Sequence, residues 1–354
     1  TSLEGRAALV TGAGRGLGRA YARALAARGA AVLVNDVGAG VDGRGSDASP
    51  ATAVAREIED SGGRAVGDVT DVASIAGGSV SNGEGIAGFG GDAKLLLIQS
   101  GRADGSFSDV DEADAIVYAV NHGAKVINLS IGGIETSALE KKAVGYAAEH
   151  GVLVVAAAGN EFEDGNPVEY PAALLQPIGS DGRGGIGLSV GATTKNGGRA
   201  SFSNTGSWIS LAAPGENVLS ALSSYSSSRD WPRYALPGSS HGIYGFASGT
   251  SFSAPQVAGA AALVWGANPA LNRDQVAWIL KRTASGDGHW TRTLGFGVLD
   301  VGRAVATAQT GGEVVPPPRA ASALRVVRRN VRRTRIRVGA TLASRLAAIS
   351  PAGR

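Results

Sequence analysis

The strongest constraint on how this chain can fold is a short serine-containing segment that runs directly into a helix of small apolar residues. Residues 249–255 read Gly-Thr-Ser-Phe-Ser-Ala-Pro, and residues 256–264 continue Gln-Val-Ala-Gly-Ala-Ala-Ala-Leu-Val. A helix that is apolar on every side is normally a buried helix. The segment therefore predicts a helix packed inside a sheet protein, with Ser251 in its first turn.

Composition favours an α/β protein with a large core. The chain has 354 residues, of which 54 are glycine, and 44% are hydrophobic but only 5% aromatic. These proportions suit many tight turns and small-residue packing. No stretch approaches the roughly 20 consecutive apolar residues of a membrane-spanning helix. Cysteine is absent, which excludes disulfides, thiolate metal sites and cysteine catalysis.

Between residues 73 and 308, apolar strands alternate with helical segments, which is typical of largely parallel sheets. Residues 92–96 predict entry into a buried strand, and residues 125–130 predict the next one. Residues 151–160 predict a fully buried strand that leads to Asn160, and residues 111–122 have the pattern of an amphipathic helix. This region is expected to form a helix-flanked, largely parallel sheet.

The same region resembles the subtilisin-like serine peptidases, segment by segment and in the same order. Besides residues 249–255, the resemblance rests on residues 82–88, 130–133, 151–160, 170–173, 202–206, 212–216 and 295–300. It implies a serine endopeptidase that hydrolyses peptide bonds in peptide or protein substrates. The chain is also expected to be a monomer that requires no cofactor and does not bind a membrane, and no residue is assigned to a metal site.

The resemblance implies roles for individual residues. Ser251 would be the nucleophile, and Asn160 would donate its side-chain amide to the oxyanion. The substrate backbone would lie as an added strand along Ser130, Ile131, Gly132 and Gly133. The side chain before the scissile bond would enter a pocket, expected to be apolar, lined by Ala157, Ala158 and Gly159.

The first 72 residues carry a different pattern. A short strand over residues 7–10 runs into Thr11-Gly12-Ala13-Gly14-Arg15-Gly16-Leu17-Gly18, a helix is predicted over residues 19–28, and a second strand over residues 31–36 ends at Asp36. Glycines in such a β-α-β turn let the backbone approach a pyrophosphate at the helix N-terminus. The part resembles the start of a short-chain dehydrogenase/reductase, so its strands are expected to be of Rossmann type.

By that resemblance the cofactor would be NAD. Gly12, Gly16 and Gly18 would shape the phosphate turn, Asp36 would accept from the adenosine ribose hydroxyls, and Asp68 would border the adenine. The dehydrogenase Asn-Asn-Ala-Gly segment and catalytic Tyr-x-x-x-Lys pair are missing from the sequence, so hydride transfer lacks its acid/base partner. The alternative is that these residues only build sheet.

The catalytic triad implied by the peptidase resemblance is incomplete. The family pattern Gly-His-Gly-Thr-His-Val-Ala-Ser corresponds to Gly-Asp-Val-Thr-Asp-Val-Ala-Ser at residues 67–74, so Asp68 stands in the place of the catalytic histidine. The family aspartate ends the first buried strand, but here that strand ends at Thr11, and Asp36 is better explained as the dinucleotide acid.

Four histidines occur in the chain. His241 is the first candidate to replace the catalytic histidine as the base, whereas His122 and His150 are expected to cap helices. The sequence therefore predicts a nearly inactive peptidase. The alternatives are a peptide-binding pseudoprotease and an NAD-binding dehydrogenase fragment.

The chain is predicted to have three parts: a dehydrogenase-like segment over residues 1–72, a subtilisin-like core lacking its N-terminal part over residues 73–308, and a Pro hinge with an Arg-rich tail over residues 309–354. The first two are expected to share one continuous sheet. Residues 319–354 contain ten arginines, no acid and no aromatic residue, which favours a linker and the first strand of a truncated accessory domain over nucleic-acid binding. The peptidase ancestry implies secretion, and the dehydrogenase ancestry implies the cytoplasm.

Overall fold

The computed structural model describes residues 7–11, 27, 31–35, 64–66, 72–77, 87–91, 93–98, 100, 108–221, 233–234 and 244–310. Three short strands lie in the N-terminal part: β1 (Ala7–Thr11), β2 (Ala31–Asn35) and β3 (Arg64–Val66). They pair in parallel in the order β1-β2-β3, with Ala31 opposite both Ala7 and Arg64. The strands predicted for residues 7–10 and 31–36 are confirmed.

The central sheet has four parallel strands in the order β4-β5-β6-β7. They are β4 (Val126–Leu129), β5 (Leu153–Ala157), β6 (Leu188–Thr193) and β7 (Leu211–Pro214). Every residue of β5 and β6 is buried, as expected for inner strands of a parallel sheet that is covered on both faces. The strands predicted over residues 125–130 and 151–160 are confirmed.

Seven helices occur within the described residues. They are α1 (Val72–Gly77), α2 (Asp109–Asn121), α3 (Ala138–Glu149), α4 (Ala172–Leu175), α5 (Thr250–Ala267), α6 (Arg273–Thr283) and α7 (Val301–Gln309). The amphipathic helix predicted over residues 111–122 is α2, which begins after its cap Ser108 and ends at His122. None of the described helices combines the length and apolar character needed to cross a membrane.

Alternate residues of the central strands lie in two separate hydrophobic cores, one on each face of the sheet. On one face, Leu153 and Val155 pack with β6, β7 and the helices α5, α6 and α7. On the other face, Val154 and Ala156 pack with α2, α3 and α4. This alternation follows from the two-residue period of a strand. It produces a three-layered α/β/α core, as the sequence predicted.

The buried helix predicted from the small-residue run is α5. Its residues Val257, Ala260, Ala261 and Val264 are fully buried against the sheet. Small side chains are needed because other backbone approaches closely: a Cβ added at Gly259 would lie 2.6 Å from the backbone nitrogen of Gly90. The helix is thus fixed between the sheet and the segment that follows α1.

A small antiparallel sheet leads into α5. Its strands are β8 (Val218–Ala221), β9 (Arg233–Tyr234) and β10 (Tyr244–Ala247), in the order β8-β10-β9. Only Ser248 and Gly249 separate β10 from the first residue of α5. This sheet therefore fixes the direction from which the chain enters the serine segment.

Two expectations about the sheet are wrong for the described residues. The strand predicted to follow Asp92 is absent, because residues 93–98 are irregular and Leu95, Leu96 and Leu97 are 46%, 42% and 49% exposed. The single continuous sheet is absent too, since β3 pairs with β2 and β4 with β5. A strand exists only through its ladder partner, and the described part of the chain offers none to residues 93–98.

Candidate active site

Ser251 lies in the first turn of α5, where it is half-buried. Gly249, the cap of this helix, has a φ of 155°, a conformation that a residue with a side chain rarely adopts. Phe252 anchors the turn by packing with Ile75 of α1 and Ala247 of β10. The serine hydroxyl is thus presented by a rigid turn at the start of a buried helix.

Pro255 links the nucleophile to the predicted substrate edge. A proline has no N–H, so it cannot donate to the carbonyl four residues earlier in a helix, which here belongs to Ser251. The Ser130 hydroxyl donates to that carbonyl instead, at 2.7 Å, and Asn128 Nδ2 donates to the same hydroxyl oxygen at 3.0 Å. The end of β4 is therefore hydrogen-bonded directly to the nucleophile residue.

Asn160 stands three residues beyond β5 and contacts the same helix turn. Its Oδ1 accepts from the Thr250 backbone N–H at 2.8 Å and from the Thr250 hydroxyl at 3.0 Å. The Thr250 hydroxyl oxygen accepts in turn from the Gly159 N–H at 3.2 Å. Because Oδ1 is occupied, the amide Nδ2 is the group left to donate outward. Together with the backbone N–H of Ser251 at the start of α5, it suits a developing oxyanion.

The Ser251 hydroxyl is not activated by a histidine in the described part of the chain. Ser251 Oγ donates to the Ser130 carbonyl at 3.3 Å. His122 and His150 are the C-caps of α2 and α3, and each places Nδ1 2.8 Å from the carbonyl of a tyrosine one turn earlier. His289 lies in a late loop, and His241 lies outside the described residues, as do Asp36 and Asp68.

The predicted substrate edge is exposed at its two glycines, but the backbone of Gly133 is already paired. Gly132 and Gly133 are exposed, Ser130 and Ile131 are half-buried, and Gly133 pairs with Tyr170 in a two-way bridge of 3.0 and 2.9 Å. The three predicted pocket residues are buried, with Ala157 in the core below the sheet and Ala158 in the core above it. Gly159, at a φ of 105°, is the one that contacts polar side chains.

Those polar side chains belong to Asn204 and Glu169, and sequence reasoning missed Glu169 together with its hydrogen-bond partner Glu161. Glu169 is 6% exposed, and a Cβ added at Gly159 would lie 2.7 Å from its Cδ. Burial, followed by a hydrogen bond to Glu161, raises the pKa of Glu169 to about 8. The hydrogen bond from Glu169 lowers the pKa of Glu161, whose Oε2 also accepts from the Asn160 N–H at 2.6 Å. The two carboxyls therefore share a proton beside Asn160.

The predicted cofactor residues cannot be placed. Gly12, Gly16, Gly18, Asp36 and Asp68 all lie outside the described residues, although Thr11, at the end of β1, directly precedes the first of them.

A parallel sheet covered by helices on both faces, with a serine in the first turn of a buried helix beside an asparagine that follows a strand, defines a serine-peptidase type of fold. The sequence model of the subtilase family, peptidase S8, matches residues 69–297, and the chain belongs to that family. The predicted α/β fold of subtilisin type is therefore confirmed for this region.

Individual relatives agree with this assignment. The thermophilic serine proteinase of Bacillus sp. (strain AK1) is 36% identical over 216 residues, which is 61% of this chain and 46% of that protein. The halolysin-like extracellular serine protease Nep of Natrialba magadii is 36% identical over 245 residues, which is 69% of this chain and 40% of that protein. A solved protease of Pseudoalteromonas arctica PAMC 21717 has a TM-score of 0.54 at 31% identity and covers 69% of this chain and 74% of its own. The chain spans about half the length of the curated relatives it matches.

Proposed function

We propose that this chain carries a subtilisin-type serine endopeptidase site that binds extended peptides but hydrolyses them very slowly. Ser251 is the nucleophile, Asn160 the oxyanion donor, and residues 130–133 the edge that holds the substrate. One observation supports the proposal: Ser251 Oγ donates to the Ser130 carbonyl at 3.3 Å, while the neighbouring Thr250 N–H holds Asn160 Oδ1 at 2.8 Å beside the same helix turn.

The proposed chemistry follows from these contacts. A peptide added along Ser130, Ile131 and the exposed Gly132 places its scissile carbonyl oxygen near Asn160 Nδ2 and the Ser251 backbone N–H. A neutral serine hydroxyl is a poor nucleophile until a base removes its proton. Asp68 stands at the family's histidine position, so the site stabilises the oxyanion without generating the nucleophile efficiently.

A fluorophosphonate probe tests this proposal, because it reacts only with an activated serine. The chain should be labelled far more slowly than an intact subtilisin at equal concentration, and the slow labelling should disappear in Ser251→Ala. Rapid stoichiometric labelling that depends on Ser251 would show that another residue serves as base. His241→Ala would then be the variant to examine first.

Binding without any cleavage is the alternative use of the same site. The relatives are named as proteinases and proteases, so they favour a peptidase over a dedicated binding protein. The name of the Natrialba magadii relative includes the word extracellular, and we propose secretion for this chain on that basis.

A second proposed function concerns residues 1–72 and rests on β1, β2 and β3 alone. Their parallel order and the glycines that follow Thr11 are compatible with a dinucleotide turn, although the family match begins at residue 69. With half of the cofactor cleft missing from the sequence, NAD should bind weakly, with a Kd of about 1 mM. Calorimetry that finds micromolar affinity, lost in Asp36→Ala, would contradict this.

A further inference from the structure

Glu169, one of the two glutamates beside Asn160, lies in the space between the two segments assigned to substrate. Glu169 lies against Gly159 on one side and against Gly132 on the other, where an added Cβ would contact its Oε2 and lie 3.3 Å from its Cδ. Because both neighbours are glycines, the carboxyl group reaches a place that a side chain at either position would fill. A substrate side chain that enters the space between these segments therefore meets a carboxyl group and not an apolar surface.

The surroundings of the pair supply hydrogen-bond donors to Glu161 but, within the described residues, no cationic side chain. Neither Glu161 nor Glu169 forms an ion pair with any residue that the structure describes. Asn204 is fully buried beside them, and its Nδ2 is 3.2 Å from the Pro167 carbonyl and 3.4 Å from Glu161 Oε2. Its Oδ1 has no hydrogen-bond partner among the described residues. A buried acceptor without a donor is costly, so this site calls for a ligand that brings N–H groups.

The position of the pair relative to the reacting groups identifies that ligand. Asn160 donates its backbone N–H to Glu161 and receives its Oδ1 hydrogen bonds from Thr250, so a single residue joins the pair to the oxyanion donors. The substrate side chain closest to the oxyanion belongs to the residue that contributes the scissile carbonyl. No cluster of three or more possible metal ligands exists in the described part of the chain, which favours an organic cation over a metal ion.

We propose that Glu161, Glu169 and Asn204 form the end of the pocket for the residue before the scissile bond, and that this residue is arginine or lysine. The proposal rests on the function proposed above and deepens it. It replaces the apolar pocket that the sequence led us to expect. The pair shares one proton near neutral pH and so carries one negative charge, which matches a single guanidinium or ammonium group.

The test compares product-like peptides on the full chain. Four fluorescein-labelled Ala-Ala-Ala-X peptides with a free C-terminal carboxylate are used, where X is arginine, lysine, citrulline or phenylalanine. The carboxylate takes the place of the oxyanion and fixes the register, and citrulline keeps the shape of arginine without its charge. Fluorescence anisotropy should show the arginine and lysine peptides binding at least about tenfold more tightly than the citrulline and phenylalanine peptides.

Substitutions test whether the two glutamates cause the preference for arginine and lysine. In Glu161→Gln/Glu169→Gln the preference for arginine over citrulline should fall to about twofold or less, with the far-ultraviolet circular dichroism unchanged. In the matched control Glu163→Gln, an exposed glutamate of the same loop, the preference should persist. If the phenylalanine or citrulline peptide binds as tightly as the arginine peptide, or if the double variant keeps the preference, this inference is wrong while the proposed function stands. If none of the four peptides binds, the proposed function itself fails and the inference fails with it.

Discussion

At the scale of single residues, the nucleophile turn is held by a hydrogen bond that compensates for a proline. Pro255 leaves the Ser251 carbonyl without its helical donor, and Ser130 Oγ supplies one at 2.7 Å. The same serine offers its own carbonyl to Ser251 Oγ. Ser130 therefore fixes both the backbone and the hydroxyl of Ser251, and it joins the substrate edge to the nucleophile.

Removing the Ser130 hydroxyl should destabilise the fold. Ser130→Ala leaves the Ser251 carbonyl without a described partner, which costs about 1–3 kcal/mol. The loss should appear as a lower urea midpoint for the core. Ser201→Ala, at an exposed serine, serves as the control and should change stability by less than about 0.5 kcal/mol. Equal stability of Ser130→Ala and the control would mean that another group replaces the hydroxyl.

The sequence made some site residues predictable and left others hidden. Ser251 and Asn160 stand next to a helix start and a strand end, so local pattern was enough to find them. The pair of Glu161 and Glu169 was missed because eight positions separate the two carboxyls along the chain, and only the folded loop brings them together. Asn204 lay in a recognised segment, but its unpartnered Oδ1 is a property of packing that no local pattern contains.

At the scale of secondary-structure elements, α2 and α3 pack with acidic residues between them. Glu112 of α2 and Glu140 of α3 are 7% and 4% exposed. Burial, with smaller contributions from Glu140 and Asp109, raises the pKa of Glu112 to about 7. Burial likewise raises the pKa of Glu140, against a hydrogen bond from Thr136 that lowers it. This helix pair is therefore more stable when Glu112 is protonated.

The contact between α2 and α3 should make stability depend on pH. Folded Glu112 keeps its proton up to about pH 7, whereas the unfolded chain loses it near the ordinary value of 4.5. Stability is therefore highest below about pH 4.5 for this group, falls between pH 4.5 and 7, and then levels off. At about 1.4 kcal/mol for each pKa unit, the shift from 4.5 to about 7 makes the fall from this group at most about 3–4 kcal/mol.

Glu112→Gln should remove this contribution and raise the melting temperature at pH 8 relative to the parent chain. Glu149→Gln, at an exposed glutamate that ends α3, is the matched control and should leave the pH profile unchanged. Calorimetric scans between pH 4.5 and 8 make the comparison. A parent profile and a Glu112→Gln profile that run parallel would show that Glu112 titrates normally in the folded protein.

The helices and strands could be predicted from the sequence wherever the strand or layer that each one packs against is present. The strands β4 and β5 and the helix α5 have apolar patterns that the sheet and helix layers satisfy. Residues 93–98 have an equally apolar pattern, yet they form no strand, because β1, β2 and β3 pair with one another and β4 has β5 alone as its described partner. An apolar sequence pattern shows that a segment can form a strand. Whether it does so depends on a neighbouring strand with which it can form hydrogen bonds.

At the scale of the whole molecule, this unpaired segment leaves apolar surface exposed. Leu95, Leu96 and Leu97 are consecutive and each more than 40% exposed, whereas isolated exposed apolar residues are ordinary. The sequence led us to expect a monomer, and these leucines provide the surface most prone to self-association in the described part of the chain.

Light scattering can test the contribution of these leucines. The chain should associate increasingly as its concentration rises, and Leu96→Lys/Leu97→Lys should lower the apparent mass. Val110→Lys/Ile178→Lys adds the same charge at two scattered residues that are 50% and 58% exposed, so it controls for charge alone. If both double variants lower the mass equally, charge and not the leucine segment would account for the change.

The proposed subtilisin site is tested by placing a histidine at position 68, where the family pattern has its catalytic base and this sequence has Asp68. Position 68 lies outside the described residues, four residues before α1 in the sequence, and Ile75 of α1 packs against Phe252, the neighbour of Ser251. In subtilisin itself, loss of the histidine costs about 2 × 10⁶ in turnover and loss of the aspartate about 3 × 10⁴. Asp68→His should therefore raise hydrolysis of a peptide substrate on the order of 10²-fold, and Asp68→His/Ser251→Ala should abolish the gain. A folded Asp68→His variant whose hydrolysis is unchanged would contradict the claim that this chain holds a subtilisin site lacking only its base and acid.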